Sequence, residues 1–83
     1  MLIMTLDRNS LLNYFQDHMG IDTHKIDDET QLFSSGLLDS FSMVDLIFFI
    51  EENAKFRVKP TEVNLDNLDS IQRILNFTQA HSE

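Results

Sequence analysis

The chain has no cysteine, which excludes disulfides, thiolate-bound zinc and a thiol nucleophile supplied by the protein itself. Stability must come from packing. One proline and two glycines occur in 83 residues, and no linker rich in Gly, Pro or Ser, no low-complexity tract and no internal repeat divides them. One domain over residues 1–83 is expected, with an ordered core over about 5–79. Long apolar runs are missing as well: the longest, Leu46 to Ile50, falls far short of the ~20 residues that cross a bilayer. The opening MLIMTLDRNS lacks the basic n-region, long h-region and cleavage site of a secretion signal. The expectation is a soluble cytoplasmic protein, monomeric and without membrane insertion.

Positive charge is also scarce. Six Lys and Arg stand against fourteen Asp and Glu, for a formal net charge of −8. From Asp27 to Glu52 there are seven acids and no Lys or Arg. Such a field excludes nucleic acid as the expected partner and steers proteins with basic patches toward the chain, in a salt-dependent way. Surplus acid also keeps a small protein soluble, so charge alone assigns no partner.

Aliphatic and aromatic residues make up 42% of the chain, 10% being aromatic, which suffices for one core. A domain near this size buries only about 60% of the surface its unfolded chain exposes, so the stability margin is modest. Leu11, Leu12, Phe15 and Met19 recur at three- and four-residue spacing and predict a first helix over roughly Thr5–Met19, stopped by Gly20. Residues 21–36 lack periodicity; Ile26, Leu32 and Phe33 are available to pin this long loop. A loop that long in so small a domain points to function.

A second helix is predicted over about Ser40–Ala54, behind the capping candidates Asp39 and Ser40. Its pattern fades before Lys55, Arg57 and Lys59, and Pro60 closes it off. Residues 61–68 suit a short helical turn, and Asp69 or Ser70 caps a last helix through Ile71, Ile74, Leu75 and Phe77. The one strand-like stretch, Phe56 to Pro60, has no partner strand. The predicted fold is all-α: a small bundle of three main helices plus one short helix, with the long loop between the first two helices.

The second helix has two faces. At about 100° per residue, Met43, Leu46, Ile47, Ile50 and Ala54 share the arc expected of a core stripe. The opposite arc collects Phe41, Asp45, Phe48 and Glu52, with Val44 and Phe49 at its margins. A large apolar side chain left outside forgoes roughly 1.5 to 3 kcal/mol of burial, so an outward Phe flanked by acids needs an explanation. Either a partner surface, apolar at its centre and basic at its edge, covers that arc, or the long loop folds over Phe48 or Phe49.

Ser40 admits three roles. As an N-cap its oxygen would accept a backbone N–H. As a hydrolase nucleophile it would need a base and a sharp elbow, but the motif is not G-x-S-x-G, and His18, His24 and His81 are scattered. As an attachment point it would sit where a helix N-terminus favours negative charge, so a phosphodiester there is tolerated.

Gly36, Leu37, Leu38, Asp39 and Ser40, followed by Phe41, Val44, Asp45 and Leu46 and then Glu51 and Glu52, resemble the prosthetic-group segment of acyl carrier proteins. The size, acidity and helix plan resemble that family over nearly the whole chain. The resemblance implies that Ser40, beside its acidic neighbour Asp39, carries 4′-phosphopantetheine through a phosphodiester, transferred from coenzyme A by a phosphopantetheinyl transferase. It implies further that Asp45, Glu51 and Glu52, with Phe41, Val44 and Phe48 beside them, dock partner enzymes through basic surfaces. Those partners are an acyl- or aminoacyl-loading ligase and a downstream acyltransferase or synthase. The carrier is then not an enzyme but their cosubstrate. Two departures stand out: Gly36 lies one residue farther from the serine than in general fatty-acid carriers, and Phe41 replaces the usual Leu. The Gly-Leu-Leu-Asp-Ser form is more similar to D-alanyl and other aminoacyl carriers and to carriers of specialised pathways. A helical docking module without a prosthetic group is the remaining alternative.

Other signals are weaker. Asp27, Asp28 and Glu29 lack the alternating ligands and central glycine of a calcium loop, and no histidine pair has zinc spacing. Lys55, Arg57 and Lys59 balance the acidic helix ahead of them or contact acidic cargo, a partner or the arm's phosphate.

Overall fold

The computed structural model describes residues 6–81. Four helices follow one another: α1 (Arg8–Met19), α2 (Ser40–Ala54), α3 (Leu65–Leu68) and α4 (Ile71–His81), with 3₁₀ turns at Thr23–Lys25 and Pro60–Glu62. The described residues contain no strand. The all-α plan of three main helices and one short one is thus the observed plan.

Helix α1 begins later than its periodicity suggested, because Asp7 takes the cap: its carboxylate accepts the Ser10 N–H at 2.8 Å. Thr5, the expected start, lies outside the described residues. Gly20 ends the helix in a left-handed conformation, φ 68°, and its N–H reaches the Phe15 carbonyl. Leu11, Tyr14 and Phe15 form the buried face of α1. On α2 the buried residues are Leu46 and Ile50, flanked by the half-buried Met43, Ile47 and Ala54, so the predicted core stripe is the one that packs. Each of Leu46 and Ile50, wholly removed from water, stabilises the bundle by about 1.5–3 kcal/mol relative to exposure.

Ser10 and Asn53 line one notch between α1 and α2, and His18 and Asp45 line the next, so the two helices run antiparallel. The C-terminal end of α1 therefore lies toward the start of α2. The segment after α2 turns at Lys55, which adopts φ 64° at the helix end. Phe56 then packs edge-on against Phe77 and stacks on His81 at 4.3 Å. Residues 61–68, expected as one short turn, form the end of the Pro60–Glu62 turn and then α3.

At the last helix the two capping candidates divide the work. The Ser70 hydroxyl accepts the Arg73 N–H at 3.1 Å and serves as the cap. Asp69 faces the other way and is buried. Of the predicted loop anchors Leu32 is fully buried, while Phe33 and Ile26 pack at the edge of the core. No helix among the described residues is long and apolar enough to cross a membrane.

Candidate functional site

The segment leading to Ser40 is fixed from a distance by Asp69. Its Oδ1 accepts the N–H groups of Phe33 at 2.7 Å and Ser34 at 3.0 Å, and its Oδ2 accepts the Ser34 hydroxyl at 2.6 Å. Its backbone carbonyl also takes the Leu32 N–H at 2.7 Å. Burial works against the charge on Asp69, but the Ser34 hydroxyl and the Ser34 and Phe33 amides outweigh it and hold the carboxyl below the ordinary aspartate range. The chain then turns through Gly36, whose φ of 86° suits a residue without Cβ. The Leu38 N–H returns to the Leu32 carbonyl at 2.8 Å and the Leu38 side chain is buried. This anchors the residue just before the Asp-Ser pair.

Asp39 is the N-cap of α2: its carboxylate accepts the Ser42 N–H at 2.9 Å. That amide holds the Asp39 carboxyl below its ordinary value. Of the two capping candidates Asp39 takes the role, and Ser40 is the first residue inside the helix and not its cap. The reason is register: one acceptor suffices for the first-turn amide, and Asp39 stands one position earlier in extended backbone. Ser40 is left exposed, and its hydroxyl has no bonding partner among the described residues. The histidines are engaged elsewhere, His18 against Tyr14, His24 beside Asp22 and His81 with Glu62 at 2.6 Å. None serves Ser40 as a base.

An exposed, uncommitted hydroxyl in the first turn of a 15-residue helix is chemically suited to a phosphodiester. The helix N-terminus would offer partial positive charge to a phosphate there, and the Asp39 cap leaves the serine oxygen free.

The face beside the serine is open. Phe41 is 81% exposed, Phe48 61% and Val44 51%, and Asp45 and Glu52 are exposed with them. The arc that combined aromatic residues with acids does point outward. Glu51 lies at its margin, half-buried, and its Oε2 accepts the Val58 N–H at 2.8 Å, so this carboxylate also shapes the turn after α2. Phe49 is covered, but by α1 and not by the loop: its ring stacks on Tyr14 at 4.1 Å with the planes 14° apart. Burial first, and Asp45 second, push the Tyr14 phenol up to about 12.

Asp69 was expected only as a helix cap and Leu38 only as part of the Gly-Leu-Leu-Asp-Ser segment, and no periodicity marked Tyr14. The loop acids serve the loop: Asp27 accepts the Glu29 N–H and the Thr30 hydroxyl, and Asp28 pairs with Arg8 at 2.6 Å. Among the described residues no group of three or more His, Cys, Asp or Glu is placed to hold a metal ion.

Comparison with curated proteins gave no match. Residues 9–77 match a protein family described as "Phosphopantetheine attachment site". Domains of that family bear covalently attached 4′-phosphopantetheine and act as carriers, not catalysts. The matched stretch takes in all of α1 but Arg8, all of α2 and α3 and most of α4, together with the exposed serine, and the chain belongs to the phosphopantetheine attachment site family.

Proposed function

We propose that the chain is an acyl carrier protein that bears 4′-phosphopantetheine on Ser40 and shuttles thioester-bound acyl intermediates between the enzymes of a biosynthetic pathway. The observation that carries this reading is the uncommitted Ser40 hydroxyl at the start of the same helix that exposes Phe41, Val44, Asp45, Phe48 and Glu52. Bound there, the arm supplies a terminal thiol, so the protein needs none of its own. Its tether raises the effective concentration of cargo at each docked enzyme. Asp39 keeps the helix start in place without engaging the serine oxygen. The exposed arc, with Glu51 at its edge, meets the basic surface of a transferase, a loading ligase or a downstream acyltransferase in turn. A modest apolar patch rimmed by charge suits partners that exchange.

The Gly36-Leu37-Leu38-Asp39-Ser40 form supports a second cargo class, aminoacyl groups of the D-alanyl type. Purifying the loaded protein from its native host and releasing the cargo with hydroxylamine separates the two. An acyl hydroxamate supports the first reading and an aminoacyl hydroxamate the second, whereas a holo protein that yields neither contradicts both.

A further inference from the structure

Two notches run side by side along the seam between α1 and α2. One, about 220 Å³, is lined by Tyr14, His18, Asp45, Phe49 and Glu52. The other, about 290 Å³, shares Tyr14, His18 and Phe49 and adds Asp17 and Asn53 among its walls. Their common wall is the stacked Tyr14–Phe49 pair. Asp17, Asp45 and Glu52 are exposed, and none of the three makes an ion pair among the described residues. No Lys or Arg lines either notch. Tyr14 is 7% exposed, and its hydroxyl is buried without a hydrogen-bond partner. A buried hydroxyl left unpaired is costly, so the aromatic wall is held in place by its stacking and burial and not by a hydrogen bond of Tyr14.

We propose that this seam is a docking slot for an arginine side chain of a partner protein, with Asp17, Asp45 and Glu52 as its anionic rim and the Tyr14–Phe49 stack as its wall. A guanidinium is planar and weakly hydrated. It lies against an aromatic face while its fork of N–H donors reaches two carboxylates at once, whereas an ammonium offers a compact and strongly hydrated charge. The slot therefore discriminates arginine from lysine, which an exposed acidic helix face alone does not. It also brings α1 into recognition, through Asp17 and Tyr14. The proposal rests on the carrier reading only in that partners approach α2.

The unmodified full-length protein suffices for the test, so the result does not depend on the arm or on Ser40. Tyr14 is the one tyrosine and the chain has no tryptophan, so intrinsic emission reports Tyr14 alone. The probes are tetra-arginine and tetra-lysine peptides, titrated at equal ionic strength and mildly alkaline pH, where histidine is neutral. The expected result is a change in Tyr14 emission, and amide shifts at Asp17, Asp45 and Phe49, with tetra-arginine binding about threefold tighter, the factor an exposed cation–π contact supplies. Phe49→Leu removes that preference and leaves tetra-lysine binding unchanged; Asp17→Asn weakens both peptides. Should Phe49→Leu lose helical structure, Tyr14→Leu, followed by amide shifts, takes its place. Equal affinity for the two peptides, an arginine preference that survives loss of the aromatic wall, or shifts confined to α2 would each overturn the proposal.

Discussion

Asp69 and Ser34 meet through two hydrogen bonds, hydroxyl to Oδ2 at 2.6 Å and amide to Oδ1 at 3.0 Å, and this contact ties the long loop to the start of α4. The loop ends in the turn that delivers Asp39 and Ser40. Replacing Asp69 by Ala orphans the Phe33 and Ser34 amides and the Ser34 hydroxyl, and is expected to cost about 3 kcal/mol of stability. Asp69→Asn keeps an acceptor and costs less. Urea unfolding followed by circular dichroism measures both.

The same contact sets an acid limb to stability. The Asp69 carboxyl is held below its ordinary range in the folded chain, whereas in the unfolded chain an aspartate ionises near ~3.9. Its contribution is therefore complete above that value and is lost as the pH falls through the lower, folded one. Asp7, Asp39 and Glu62 are shifted in the same direction and add to the limb. Asp69→Asn should flatten the decline in thermal midpoint on acidification; an unchanged slope would remove Asp69 from this account.

Asp39 and Ser40 separate capping from attachment. Asp39→Ala leaves the Ser42 N–H without its acceptor and should lower the thermal midpoint, with faster amide exchange confined to the first turn of α2. Ser40→Ala breaks no bond within the described residues and should leave both unchanged.

Phe48 and Phe49 are neighbours with opposite consequences. Phe49→Ala removes the stack on Tyr14 and should cost about 2 kcal/mol. Phe48→Ala and Phe41→Ala alter exposed side chains and should stay within about 0.5 kcal/mol of the parent. These two should instead slow modification and loading by partner enzymes.

Charge on the exposed arc is read by rate. Asp45→Lys and Glu52→Lys should each lower kcat/KM of a phosphopantetheinyl transferase about three- to tenfold at low salt, with the gap closing as ionic strength rises. Helix content should not change. Rates equal to the parent's at low salt would argue against electrostatic docking through these two residues.

The helices were legible in the sequence because their information is local. Leu11, Phe15 and Met19, or Leu46 and Ile50, repeat at helical spacing, and Gly20 stands where a left-handed residue ends the first run. The outward arc of α2 was legible for the same reason. What stayed hidden is non-local. Asp69 bonds Ser34 across a separation of 35 residues, and no spacing rule connects them. Tyr14 sits among polar neighbours in α1, and only the antiparallel crossing of α2 shows that Phe49 covers it. The choice between Asp39 and Ser40 as cap turned on a single residue of register, which pattern alone does not resolve. Glu51 reads as another surface acid until the left-handed turn at Lys55 brings the Val58 amide back to it.

Attachment at Ser40 is read by intact mass after incubation with coenzyme A and a broad-specificity phosphopantetheinyl transferase. The parent protein is expected to gain the mass of one phosphopantetheine on a single serine-containing peptide, and Ser40→Ala, folded as the parent is, to gain nothing. No gain in the parent, or a gain that survives Ser40→Ala, would contradict attachment at Ser40.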